Sequence, residues 1–270
     1  MKTTSTASLQ YLAPGQARPV YVASTGGADA ALNISAEFEQ RTMPVEDARQ
    51  LVPAASLERE GFALVHAPLK GRDFYALDSF KAAYEAEISD IVLAASGARE
   101  ALVFDHTLRS DSPALRAAHE IRETASVIHN DYTDASAEKR LRDLVGDEAA
   151  EAKLARRFAI INLWRSIGPL VEGSPLACCD AATIDSADLV ASERRAEERV
   201  GELELVTWNP AHRWYYFPAM TAEEGLLIKT FDSAQDGRAR RSIHTAFDNP
   251  LAPQDAAPRE SMESRLLVFY

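Results

Sequence analysis

The chain of 270 residues has no run of about 18 apolar residues, the length a membrane helix needs, so no spanning segment is expected. Residues 1–15 contain no apolar stretch after Lys2, so no secretory leader is expected and a cytoplasmic location is favoured. Basic residues are outnumbered: 29 Lys and Arg against 41 Asp and Glu give a formal net charge of −12. Binding phosphate chains needs a basic footprint, so nucleic acid is not an expected partner. Cysteine is scarce. Cys178 and Cys179 are adjacent, and the small ring a bond between them would close strains the backbone. Nor do they have the C-x-x-C spacing of a zinc site, so they are expected to be reduced, partly buried thiols in a reducing compartment. No internal repeat and no low-complexity tract is present.

What remains is an ordinary globular composition, 46% hydrophobic and 26% charged, long enough for a single domain over residues 1–270. Residues 1–125 read as a mostly helical support region and residues 126–270 as a strand-rich core. In 78–95, Phe80, Ala83, Tyr84, Ile88, Ile91 and Val92 recur at three- and four-residue spacing, the period of an amphipathic helix. Further helices are expected over 114–122 and 135–157, the latter capped by Asp134 or Ser136. Strands are expected at 62–66, 101–104, 158–164, 202–208, 214–217, 226–231, 242–247 and 265–270, where β-branched, aromatic and apolar residues cluster between turn residues. Many short strands without alternating helices predict a β-sandwich or barrel within an α+β class.

The chemistry centres on His129-Asn130-Asp131. On an extended segment, residues two apart project to one face, so the imidazole and the carboxylate can converge on one metal ion. A second histidine would complete two histidines and one carboxylate, the set that suits non-haem iron(II) oxygenases and leaves positions open for co-substrate and oxygen. His244 lies in a strand-like run, and Arg259-Glu-Ser261 begins fifteen positions later. A guanidinium offers a bidentate fork for a carboxylate and a neighbouring hydroxyl adds a hydrogen bond, as 2-oxoglutarate would require. His212 is the rival third ligand and Arg265 the rival anchor. His66, His106 and His119 have no partner pattern and read as structural. The charged run 193–199 reads as a solvated face or loop.

These residues resemble the jelly-roll iron(II)/2-oxoglutarate dioxygenases, and more closely the family of the cephamycin-pathway hydroxylase CmcJ and the fungal gibberellin desaturase. The likeness runs along nearly the whole chain. It is carried by Leu9-Gln-Tyr-Leu12, His129-Asn-Asp-Tyr-Thr133, Asn162-Leu-Trp-Arg165, Pro175-Leu-Ala177, Cys179-Asp180 and His212-Arg-Trp-Tyr-Tyr-Phe-Pro218. Lys229-Thr-Phe-Asp-Ser233, His244-Thr-Ala-Phe247 and Pro258-Arg-Glu-Ser261 complete it. One departure is Ser166, where the family pattern has proline after Arg165.

The resemblance implies a double-stranded β-helix (jelly roll), with helices packed on it mainly from the N-terminal half. It implies iron(II) held by His129, Asp131 and His244, and 2-oxoglutarate anchored by Arg259 and Ser261. It implies hydroxylation or desaturation of a small secondary metabolite with O2, and Tyr132, Arg165 and Tyr216 are the candidate substrate contacts. Two alternatives stand beside it: a cupin-like iron enzyme that does not use oxoglutarate, and a metal-free β-sandwich binding protein. Oligomeric state is not legible.

Overall fold

A computed structural model describes residues 4–270 except 69, 169 and 198. Residues 1–3, part of the segment read for a leader, and Glu198, in the charged run, therefore lie outside the described residues. In chain order the strands are β1 (Thr4–Leu12), β2 (Val20–Val22), β3 (Asn33–Ile34), β4 (Phe38–Asp47), β5 (Phe62–His66), β6 (Glu100–Ser110) and β7 (His129–Asn130). They continue with β8 (Phe158–Ser166), β9 (Leu176–Cys179), β10 (Leu189–Ala196), β11 (Arg199–Val206), β12 (Trp214–Tyr216), β13 (Glu224–Asp232), β14 (His244–Ala246) and β15 (Glu260–Phe269). Helices α1 (Lys81–Ser96) and α2 (Pro113–His119) precede β7, and α3 (Asp134–Val145) and α4 (Asp147–Leu154) follow it. No helix among the described residues is long and apolar enough to cross a membrane.

The strands form two sheets. The larger has the order β1-β4-β12-β9-β14-β7-β11-β10-β2-β3, the smaller β5-β13-β8-β15-β6. From β7 to β9, and again from β12 to β15, each successive strand lies in the other sheet, the alternation of a double-stranded β-helix. Burying both faces explains why β8 reads as a continuous apolar run: all nine of its residues are buried. Its odd-numbered side chains Ala159, Ile161 and Leu163 meet Tyr84, Ile88 and Val92 of α1. Trp164, on the opposite face, packs with Phe62, Cys178, Tyr215 and Leu226 between the sheets. Burying each large apolar side chain contributes about 1.5–3 kcal/mol, and this double layer holds the β8 face that carries Asn162 and Trp164.

The mostly helical first region is not what forms. Among the described residues before 125 there are six strands, and the α-helices are α1 and α2. In β1 the buried positions alternate strictly at Ser5, Ala7, Leu9 and Tyr11, but two of those residues are small enough to blunt the hydrophobic signal. The helix expected over 135–157 is two helices, because Gly146 (φ 81°) breaks it. Its cap is Thr133 rather than Asp134: the Thr133 hydroxyl accepts from the Ser136 backbone N–H, and the Ser136 hydroxyl accepts from that of Thr133. The run 193–199 is no loop; most of it forms the β10–β11 hairpin, with Arg194 paired to Gly201. Cys178 and Cys179 are unbridged and fully buried, and burial pushes the Cys179 thiol up to about 12.

Candidate active site

Strand β7 is only two residues long, but it fixes the metal-site geometry. His129 lies directly opposite His244 in the β7–β14 pair, and His244 lies opposite Cys178 of β9. Directly opposed residues of antiparallel strands share a face, which brings the two imidazole centroids to 4.5 Å. Asp131 follows the strand immediately. Ligand atoms of His129, Asp131 and His244 all lie within 4.8 Å of one another.

The hydrogen bonds around these residues leave the ligand atoms free. His129 Nδ1 is 2.8 Å from the Val127 carbonyl and His244 Nδ1 is 3.2 Å from that of Ser242. A carbonyl only accepts, so each Nδ1 carries the proton and each Nε2 keeps its lone pair. Asp131 Oδ2 accepts from Asn162 Nδ2 at 2.7 Å and from Arg265 Nε at 3.1 Å. Its Oδ1 is left facing His129 Nε2 at 3.8 Å. Burial, then the neighbouring His244, lowers the His129 pKa to about 4; burial also lowers that of His244. Both rings are therefore neutral near pH 7, the form that binds a metal. Burial alone would raise the Asp131 pKa, but the adjacent Arg265 guanidinium, the largest opposing influence, holds it down and keeps the carboxylate ionised. Two neutral imidazoles and one carboxylate on one side of a pocket fit iron(II).

The two rival residues are engaged elsewhere. His212 stacks on Tyr11, with Nδ1 3.1 Å from the tyrosine hydroxyl and Nε2 3.2 Å from Asp188. Arg265 sits at a bulge in the β15–β6 pairing, where an extra residue re-aims side chains. It bonds Asp131, Asp105 (2.6 Å), Thr107 (3.0 Å) and Glu263. Three carboxylates thus occupy its fork, that of Asp131 among them.

Arg259 is different. It is 4% exposed and lies 5.0 Å over the Trp164 ring, yet pairs with no carboxylate among the described residues. Its Nε donates to the Ser261 hydroxyl at 3.1 Å and Nη1 to the Ser174 carbonyl at 3.0 Å. Burial, then Arg109, pushes its pKa down to about 9, so the charged form lacks the anion that would stabilise it. The Trp164 indole N–H beside it is buried with no partner among the described residues. Both observations fit a binding place for a carboxylate.

Of the candidate substrate contacts, Tyr132 lines a cavity of about 420 Å³ beside Asp131. Arg165 is not brought there: it projects to the α1 face of β8, 5.7 Å over the Tyr84 ring, and donates to the Ala67 carbonyl. Tyr216 packs against Phe247 on the face of the large sheet opposite His244. Sequence reasoning left Asn162 without a role and did not single out Arg109, which lines a small pocket with His129 and Asp131. Asn162 could have been found by placing β8 with Asn162 and Trp164 on its inward face; Arg109 carries no local signal.

The family described as "Oxidoreductase/YMDC permease-like domain" matches residues 9–269. The hydroxylase/desaturase efuI of Hormonema carpetanum is 31% identical over 87% of this chain and 86% of its own. The Fe(II)/2-oxoglutarate-dependent dioxygenase nvfI of Aspergillus novofumigatus is 30% identical over 69% of this chain and 66% of its own. Among solved structures, a variant of the iron and alpha-ketoglutarate-dependent endoperoxidase NvfI superposes with a TM-score of 0.83 at 25% identity, covering 99% of both chains. The cupin-like and metal-free alternatives are thereby set aside. The chain belongs to the iron(II)/2-oxoglutarate-dependent dioxygenase family that includes these hydroxylase/desaturases, an oxidoreductase whose cofactors are iron(II) and 2-oxoglutarate.

Proposed function

We propose that this protein hydroxylates or desaturates a small secondary metabolite with O2, holding iron(II) through His129, Asp131 and His244 and 2-oxoglutarate through Arg259 and Ser261. The observation that carries the reading is the pairing of a triad whose ligand atoms are left free with a buried guanidinium that has no carboxylate. When bound, iron(II) would let O2 act as the oxidant of an unactivated C–H bond, with 2-oxoglutarate supplying two electrons and taking one oxygen atom as it becomes succinate and CO2.

The chain's own residues position and exclude. The carbonyls of Val127 and Ser242 fix the imidazole tautomers. Asn162 and Arg265 fix the Asp131 carboxylate. Arg259 and Ser261 offer a fork and a hydroxyl to a carboxylate, on a surface sealed by Trp164. Tyr132 lines the cavity next to Asp131. Residues 1–270 act as one oxygenase domain in this reading, which is supported by both sheets taking strands from both halves of the chain. The buried, unbridged thiols support a reducing, cytoplasmic setting.

Anaerobic titration of the iron(II)-loaded protein with 2-oxoglutarate tests the anchor, followed by the charge-transfer absorbance of the chelate. Arg259→Gln is expected to raise the oxoglutarate Kd at least about tenfold with iron affinity kept. Arg265→Gln is expected to weaken iron instead, through Asp131. The reverse pattern would exchange the two roles.

A further inference from the structure

The family does not specify what this chain oxidises, but the cavity beside Asp131 is chemically unusual for so acidic a protein. Arg122, Arg140, Arg194 and Arg199 all line it. Among the described residues none of the four makes an ion pair, and none donates a side-chain hydrogen bond. Arg140 Nε is buried with no hydrogen-bond partner among the described residues, its guanidinium lying 4.7 Å over the Phe104 ring. The acids of the same lining are otherwise engaged: Asp105 and Asp131 with Arg265, Asp143 with Lys139, and Glu202 with Arg18. Glu120 is left, and it is exposed.

The local balance is thus positive in a chain of net charge −12. Arginines scattered for solubility would face open water. These come instead from the segment after α2 (Arg122), from α3 (Arg140) and from the β10–β11 hairpin (Arg194, Arg199), and converge on one concavity. Holding unpaired guanidinium groups together costs repulsion and desolvation, which an anion between them relieves. Burial lowers the pKa of both Arg140 and Arg194, and neighbouring Arg199 and Arg265 add to it. Arg194 also lines the small pocket of about 40 Å³ that contains His129 and Asp131, so a group it holds lies next to the metal ligands. Leu77, Phe104, Ile121 and Met262 give part of the large cavity an apolar surface.

The geometry points to an organic acid as substrate, its carboxylate bound by Arg140, Arg194 and Arg199 and its apolar skeleton filling the cavity beside Asp131. This rests on the oxygenase reading above. A guanidinium binds a carboxylate through a charge-assisted fork that an ester or amide cannot reproduce, so the esterified form of the same skeleton is the discriminating control.

Anaerobic protein loaded with iron(II) and 2-oxoglutarate is titrated calorimetrically with naphthalene-2-carboxylate, decanoate and indole-3-acetate, each beside its methyl ester. At least one acid is expected to bind about tenfold or more tightly than its ester. The double variant Arg140→Gln/Arg194→Gln, checked by its thermal melt, should erase that preference and leave ester binding unchanged. Arg194→Lys, which keeps the charge but not the fork, should retain part of it. No acid preference in any pair, or a preference that survives the double variant, overturns the inference. So does a rise in the oxoglutarate Kd of the double variant with acid binding intact, which would give the cluster to the co-substrate. The oxoglutarate charge-transfer band is recorded first in the same samples. Its absence overturns the oxygenase reading, whereas its presence without acid preference overturns the substrate class alone.

Discussion

Asp131 is held by two donors on the same oxygen, and that asymmetry has a measurable consequence. Asn162 Nδ2 and Arg265 Nε both reach Oδ2, so the carboxylate is turned with Oδ1 toward the histidines. Outer partners of this kind set ligand orientation and are worth about 10- to 100-fold in metal affinity. Asn162→Ala should therefore weaken iron(II) binding by about that factor with little change in fold, as read by calorimetric titration; unchanged affinity would remove Asn162 from the site's support. His129 and His244 need no such side-chain partner, because backbone carbonyls two residues earlier in sequence hold both rings.

At the scale of elements, the loop after β7 is fastened by the start of α3. Thr133 caps that helix and also donates to Glu202 Oε2 of β11 at 2.8 Å. Thr133→Ala should cost about 1–2 kcal/mol in urea unfolding, and a neutral result would show that α3 is held by packing alone. Strand β8 was legible in sequence because both its faces are buried and most of its residues are apolar, and β5 and β13 because each opens on or contains a short apolar run. So was α1, whose buried Tyr84, Ile88 and Val92 keep the helical period. Strand β6 was legible only over 101–104, although it runs on to Ser110. Its continuation carries Asp105, Thr107 and Arg109 toward the site, and polar side chains facing a functional interior break the alternation that marks a strand. Arg194 was hidden for the same reason, in a charged run that reads as solvated surface. The triad itself was legible as a tripeptide plus a distant histidine. What the sequence could not supply was the β7–β14 pairing that opposes the two rings, because non-local register leaves no trace in either short strand.

At the scale of the whole molecule, the smaller sheet is held by charge as well as by apolar packing. Lys229 and Asp232 are both fully buried and 2.8 Å apart, with Arg157 2.6 Å from the same carboxylate. Burial pushes the Asp232 pKa up, but Arg157 and Lys229 more than offset it, so the folded value lies below the unfolded value of about 3.9. A depressed carboxylate stabilises above its unfolded pKa and loses that contribution as pH falls toward the folded value. Asp232→Asn should therefore destabilise by about 3–5 kcal/mol at pH 7, with the gap from the parent protein narrowing below about pH 4; a gap independent of pH would contradict the assignment. The fold sets β7 beside β14 in the large sheet so that His129 and His244 share one face, and the most direct test is iron(II) binding itself. Anaerobic calorimetry should give one iron(II) per chain for the parent protein and for His212→Ala, and loss of binding for His129→Ala, Asp131→Ala and His244→Ala. Retained binding in His244→Ala, together with its loss in His212→Ala, would contradict the account.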